Sequence, residues 1–242
     1  MDYIEAIGEI VPSFALGLPS IGREPWSSSA SNPPERLYLE RFASVLGQTD
    51  ALMLGDGGNG YVFSSTTMKE FQEQYRLLPA IPFNRLSHAP DMVAIWQKDD
   101  IFYLVNMTPF SVRTTLGVRP LNKIIRADGS GSLDTQDDVA SVALHPFELL
   151  VFQTTRHEAI LSAEASLQQS DMERLQISVQ TLEKRMNDLC RREASQNCEN
   201  LSTTVKKEKD ALSKNSIWML LRFIEETNGQ QILAPTVPSF RN

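Results

Sequence analysis

The residues that could do chemistry gather first at Gly55-Asp56-Gly57-Gly58-Asn59-Gly60. Four glycines surround an acid and an amide here, directly after the apolar run Ala51-Leu52-Met53-Leu54. Glycine lets a backbone approach a ligand closely because no Cβ stands in the way. An acid at the carboxyl end of a strand sits where α/β folds bind ligands. Asp56 and Asn59 are therefore candidate ligand-binding positions, the alternative being a tight strand-to-loop turn. The segment is not a phosphate loop, because no Lys-Ser/Thr pair follows it. Nor is it an EF-hand loop, because the remaining oxygen ligands and the terminal Glu are missing.

No catalytic constellation accompanies it. Glycoside hydrolysis needs two facing carboxylates. Glu35, Glu40, Asp50 and Asp56 are available, but the sequence defines no pair, and Glu35 and Glu40 read as solvated helix positions. His88, His145 and His157 stand in different elements, and none has a Ser or Cys partner in a nucleophile motif. His145 precedes Pro146 at a strand start, where bonding to backbone is its expected role. Cys190 and Cys198 lie eight residues apart, and two thiols without nearby histidines do not make a tetrahedral zinc site. They read as free thiols in preference to a disulfide. No metal and no cofactor are expected. Asn106-Met107-Thr108 and Asn200-Leu201-Ser202 match the glycosylation acceptor triplet, a pattern that recurs by chance.

The elements that must position these residues fall into four regions. In residues 1–86, Leu37, Phe42, Val45 and Leu46 predict a helix across 35–47. The Ala51–Leu54 run reads as a short buried strand. A second helix is predicted from about 66 to 77, starting at Thr66 or Thr67 with Glu70 in a capping-box-like role, and stopped by Pro79 and Pro82. Helix, strand, turn, helix is an α/β pattern, too short here to be a domain of that class. Residues 87–155 change to period two, with Met92, Ala94 and Trp96 alternating against Val93, Ile95 and Gln97. Strands are predicted there and at 101–105, 112–116, 121–126, 139–144 and 148–153, which together make an antiparallel sandwich.

Residues 156–228 read as helical. Met172, Leu175, Val179, Leu182, Met186 and Leu189 are spaced 3, 4, 3, 4, 3, an a/d seam. With Ala165 and Leu161 extending it backwards, a coiled-coil-type helix is expected over 161–192. A second apolar helix follows from Ser202 and carries Val205, Leu212 and Met219, so an antiparallel hairpin is the simplest arrangement. Homo-oligomerisation through 161–192 is the other use of the seam. Residues 229–242 read as a flexible tail. The expected fold class is thus α+β: an α/β segment, a β-sandwich and a helical hairpin or coiled coil.

The formal charge of −7 argues against nucleic-acid and membrane partners, which require a basic surface to displace counterions. Lys206, Lys207 and Lys209 are interrupted by acids and read as a solvated helix face. The N-terminus lacks the pattern of a signal peptide, and no apolar run approaches the ~20 residues of a membrane span. The cytoplasm is the default location.

Four stretches taken in order resemble a known family. They are Asp50-Ala51-Leu52-Met53-Leu54-Gly55-Asp56-Gly57-Gly58; Tyr75-Arg76-Leu77-Leu78-Pro79-Ala80-Ile81-Pro82-Phe83; Tyr103-Leu104-Val105-Asn106-Met107-Thr108-Pro109-Phe110; and Leu144-His145-Pro146-Phe147-Glu148-Leu149-Leu150-Val151-Phe152. Their order resembles the C-terminal part of large bacterial glycosyl-hydrolase-like proteins. There the end of a TIM-type barrel leads into a β-sandwich whose last strand carries a proline, aromatic, acid, leucine signature. The resemblance covers about residues 37–195 and implies that residues 1–86 match only a barrel end, since a whole barrel takes ~250 residues. It also implies that the usual catalytic carboxylates lie elsewhere, that Asp56 occupies the barrel-end position, and that a glycan is the ligand class. Asn59 and Gly60 stand where the family has aromatic residues. A non-catalytic accessory portion of a carbohydrate-active protein is the resulting expectation, with Tyr61, Trp96 and Tyr103 the aromatics for sugar stacking and core packing the competing role for Trp96. An interaction or scaffolding protein working through its helices is the alternative.

Overall fold

A computed structural model describes residues 35–51, 65–192, 196–214 and 216–221. The first expected helix is α1, Glu35–Thr49, and the second is α2, Thr66–Arg76. The N-cap of α2 is Ser65, one residue before the expected start, and its Oγ accepts from the Met68 backbone N–H at 3.3 Å. No acid lies in the first turn, so Glu70 does not complete a capping box. Pro79, which cannot continue a helix, follows shortly after the last turn. The Leu52–Leu54 run and the glycine segment lie outside the described residues, and so does any barrel-end strand.

All six predicted strands form. They are β2 (Val93–Lys98), β3 (Ile101–Asn106), β4 (Val112–Val118), β5 (Ile124–Arg126), β8 (Val139–Leu144) and β9 (Leu149–Thr154). Short β1 (Asn84–Arg85), β6 (Ser132–Leu133) and β7 (Thr135–Gln136) are added, and so is the long β10 (Ile160–Leu167). The strands make two antiparallel sheets, ordered β1-β2-β3-β9-β5-β6 and β10-β4-β8-β7. The chain is therefore α+β with a sandwich-like arrangement, and the sandwich extends past both expected bounds, 87 and 155.

Strand β10 is the main correction to the expected helix over 161–192. Residues 160–167 pair with β4 along their whole length, and the helix begins only at Gln169. Ala163, Ala165 and Leu167 turn toward the core while Ser162, Glu164 and Ser166 are exposed, a period of two that the helical spacing of Leu161 and Ala165 had concealed. Ala, Leu and Glu are good helix formers. The backbone groups along the β4 edge need partners, however, and pairing overrides local preference. A bulge between Ile160 and Ser162 leaves Leu161 52% exposed. At that point the Gln97 side chain on the other sheet donates to the Ile160 carbonyl (3.1 Å) and accepts its N–H (3.2 Å), linking the two sheets.

Two cores share the six-stranded sheet. One face supplies Val93, Ile95, Phe102, Leu104, Leu150 and Phe152 to the core between the sheets. The other supplies Ala94, Trp96, Tyr103, Val105 and Val151, which α1 and α2 cover with Leu39, Phe42, Leu46, Met68 and Phe71. Both faces of β2, β3 and β9 are thus buried. Gly47 allows the close approach of α1: a Cβ there would stand 2.3 Å from Met107 Sδ.

Helices α3 (Gln169–Arg192) and α4 (Gln196–Ser213) follow as a pair. Lys209 Nζ meets a Glu183 carboxylate oxygen at 2.9 Å, as expected of a chain that doubles back after 192. The seam residues Leu175, Val179 and Leu182 are buried, and they share the inter-sheet core with Ala211, Ile217 and Leu220. This part of the seam is covered within the chain. Cys190 is disulfide-bonded, against the expectation of free thiols.

Candidate functional site

The best-built polar cluster lies where α1 hands the chain to the sandwich. Asp50 follows the last turn of α1 with φ +47°, a left-handed conformation that Asp tolerates better than most residues. The resulting bend aims its carboxylate at the sheet. Tyr103 Oη on β3 donates to Asp50 Oδ1, and the Phe83 backbone N–H donates to Oδ2 at 2.7 Å. Beside them Tyr75 of α2 donates its hydroxyl to the Ala51 carbonyl at 2.6 Å. The Tyr103 ring packs edge-on to Phe83, centroids 5.2 Å apart, and stacks with Trp96 at 6.3 Å. Arg85 lies over the outer face of this stack, its guanidinium carbon 5.9 Å from the Trp96 ring centre.

Electrostatics fix the protonation of both phenols. Burial and the Asp50 charge push Tyr75 up to about 12, and the same two causes push Tyr103 further still. Both remain neutral donors at ordinary pH. The two phenols can hold the Asp50 carboxylate and the Ala51 backbone in place, but neither exchanges a proton near neutrality.

This placement decides Tyr103 and Trp96. Tyr103 is fully buried, so it offers no ring face to a sugar, and the expectation that it contacts a glycan is corrected to a core role. Trp96 is 8% exposed beneath Arg85, in keeping with core packing. Asp56, Asn59 and Tyr61 lie outside the described residues, on the segment that leaves Ala51 and rejoins at Ser65. Sequence reading did not single out Asp50 as a hub. Its position three residues past the predicted helix end was the available signal.

A second hub joins the Tyr103–Phe110 stretch to the Leu144–Phe152 stretch. Asn106 is fully buried. Its Nδ2 donates to the carbonyls of Phe110 (2.7 Å) and His145 (2.8 Å), while its Oδ1 accepts from the backbone N–H and the hydroxyl of Thr108 at 2.9 and 2.8 Å. The Asn106 triplet is therefore closed to glycosylation in the folded chain. The Pro146-Phe147-Glu148 turn places Phe147 at φ +57° with its ring buried, and Glu148 turns back to accept the His145 N–H at 2.6 Å. His145 is held through its own N–H and carbonyl, by the side chains of Glu148 and Asn106.

Asp128 makes a third junction, in the expected Asp128–Gly131 loop. It accepts from Gln74 of α2 (2.6 Å), from Arg126 (3.0 Å) and from the Ser130 N–H (2.8 Å). Burial alone would raise its carboxyl. The hydrogen bonds from Ser130, Arg126 and Gln74 outweigh this and hold it well below the usual carboxylate range. Gln74 also accepts the Val151 N–H at 3.0 Å, so α2 is pinned to β9 through a single side chain.

Among the described residues no group of three or more His, Cys, Asp or Glu is placed to hold a metal ion. No described helix is long and apolar enough to cross a membrane. No family model and no curated protein sequence matches the chain. Among solved structures, a Bacteroides fragilis protein described as an alpha-galactosidase/melibiase is similar at 17% identity and a TM-score of 0.36. The match covers 57% of this chain and 32% of that one, so the chain spans about a third of that protein's length.

Proposed function

We propose that the chain is a non-catalytic accessory portion of a carbohydrate-active, glycosyl-hydrolase-like protein, in which the sandwich braces a helical segment that leads to a glycan-facing loop. One observation carries this reading. The four stretches whose order resembles that family are the ones that the hydrogen bonds tie together: Asp50 to Phe83 and Tyr103, Tyr75 to Ala51, and Asn106 to Phe110 and His145. Their residues serve to lock helices to sheet, which is what a brace requires. The carboxylates of Asp50 and Asp128 are occupied in that work, which supports a role without catalysis.

Glycan contact then falls to Asp56, Asn59 and Tyr61. An array of glycans probed with the chain and with its Tyr61→Ala variant tests this. Binding that the variant loses supports the reading, and silence across the array overturns its carbohydrate half. Release of product from a panel of aryl glycosides by the purified chain would overturn the non-catalytic half. An in-frame barrel upstream in the source genome would support the assignment as an accessory portion, and an unrelated upstream reading frame would count against it.

The second reading is a protein that associates through its helices. Ile177, 61% exposed on α3, is the observation in its favour. Sedimentation at the 27.2 kDa of one chain across a wide concentration range would remove self-association.

A further inference from the structure

We draw no further inference here: the strongest candidate, the exposed outer face of the four-stranded sheet where Arg113, Thr115, Gly117, Ser141, Ser162 and Glu164 lie side by side, is an unpartnered run of small and polar residues, and nothing in the structure shows what covers it.

Discussion

Asp50 has a donor on each carboxylate oxygen, whereas Asp91 has one buried oxygen without a partner. Asp50 accepts from Tyr103 and from the Phe83 backbone. Removing the phenol in Tyr103→Phe takes away a hydrogen bond to a charged group, and urea unfolding should show a loss of about 2 kcal/mol. Asp50→Asn, which removes the charge and turns one acceptor into a donor, should cost a similar amount. The double variant should cost clearly less than the sum, because both changes act on the same charged bond. Strict additivity would show that the two groups are not coupled. Asp91 is the contrasting case. Its Oδ2 accepts the Met219 N–H at 3.3 Å, but its Oδ1 is buried without a partner. Burial pushes its carboxyl above the ordinary 3.8, against the lowering effect of backbone N–H groups at Ile217, Trp218 and Met219. The native state therefore binds the proton more tightly than the unfolded chain does. The stability this provides is complete below 3.8 and is lost as pH rises through the native value. The difference in stability between the wild type and Asp91→Asn should shift in favour of Asn over that interval. Two parallel stability–pH curves would contradict the assignment.

At the scale of elements, the docking of α1 depends on one missing methyl group. Alanine at position 47 should favour the helix by about 1 kcal/mol on propensity alone. The new Cβ would stand 2.3 Å from Met107 Sδ, 2.7 Å from its Cγ and 3.3 Å from Val105 Cγ1. Met107 is only 5% exposed, in the same core, so it has little room to withdraw. Overpacking of this kind costs about 1–3 kcal/mol, and the clash should win. Gly47→Ala should therefore lower the midpoint of chemical unfolding. In a Met107→Ala background, where the space is free, the same change should become neutral or stabilising. If Gly47→Ala stabilises the otherwise native chain, α1 does not sit as closely on β3 as described.

On the scale of the whole molecule, the helical pair and the sandwich have one core in common. Leu175, Val179, Leu182, Ile217 and Leu220 pack among residues of both sheets, and Trp218 reaches the second core beneath α1 and α2. No layer can leave without exposing the next. Far-UV and near-UV circular dichroism should accordingly melt in a single coincident transition. Separate transitions for helix content and for aromatic packing would divide the molecule into independent units. The same sharing explains why a seam with coiled-coil spacing does not by itself imply a second chain. Leu175, Val179 and Leu182 of that seam are already buried in the core that the helices share with the sandwich.

What the sequence determined was local. Periodicity and proline stops placed α1 and α2. Alternation placed six strands, and the spacing from Met172 onward placed the helix that begins at Gln169. The order of four short stretches pointed to the residues that later proved to join helix to sheet. Three things needed the tertiary structure. Residues 160–167 have the composition of a helix and became a strand because the β4 edge offered backbone partners to all of them except the bulged Leu161. Tyr103 sits in the continuous apolar run Ile101–Val105, a pattern of burial on both faces of a strand. That α1 and α2 are what covers its outer side is recorded nowhere within β3. Asp50 became a hub because a left-handed turn brought its carboxylate to Phe83 and Tyr103, residues 33 and 53 positions away. Spacing along the chain determines which face of an element is apolar. Only the packed structure decides what meets that face.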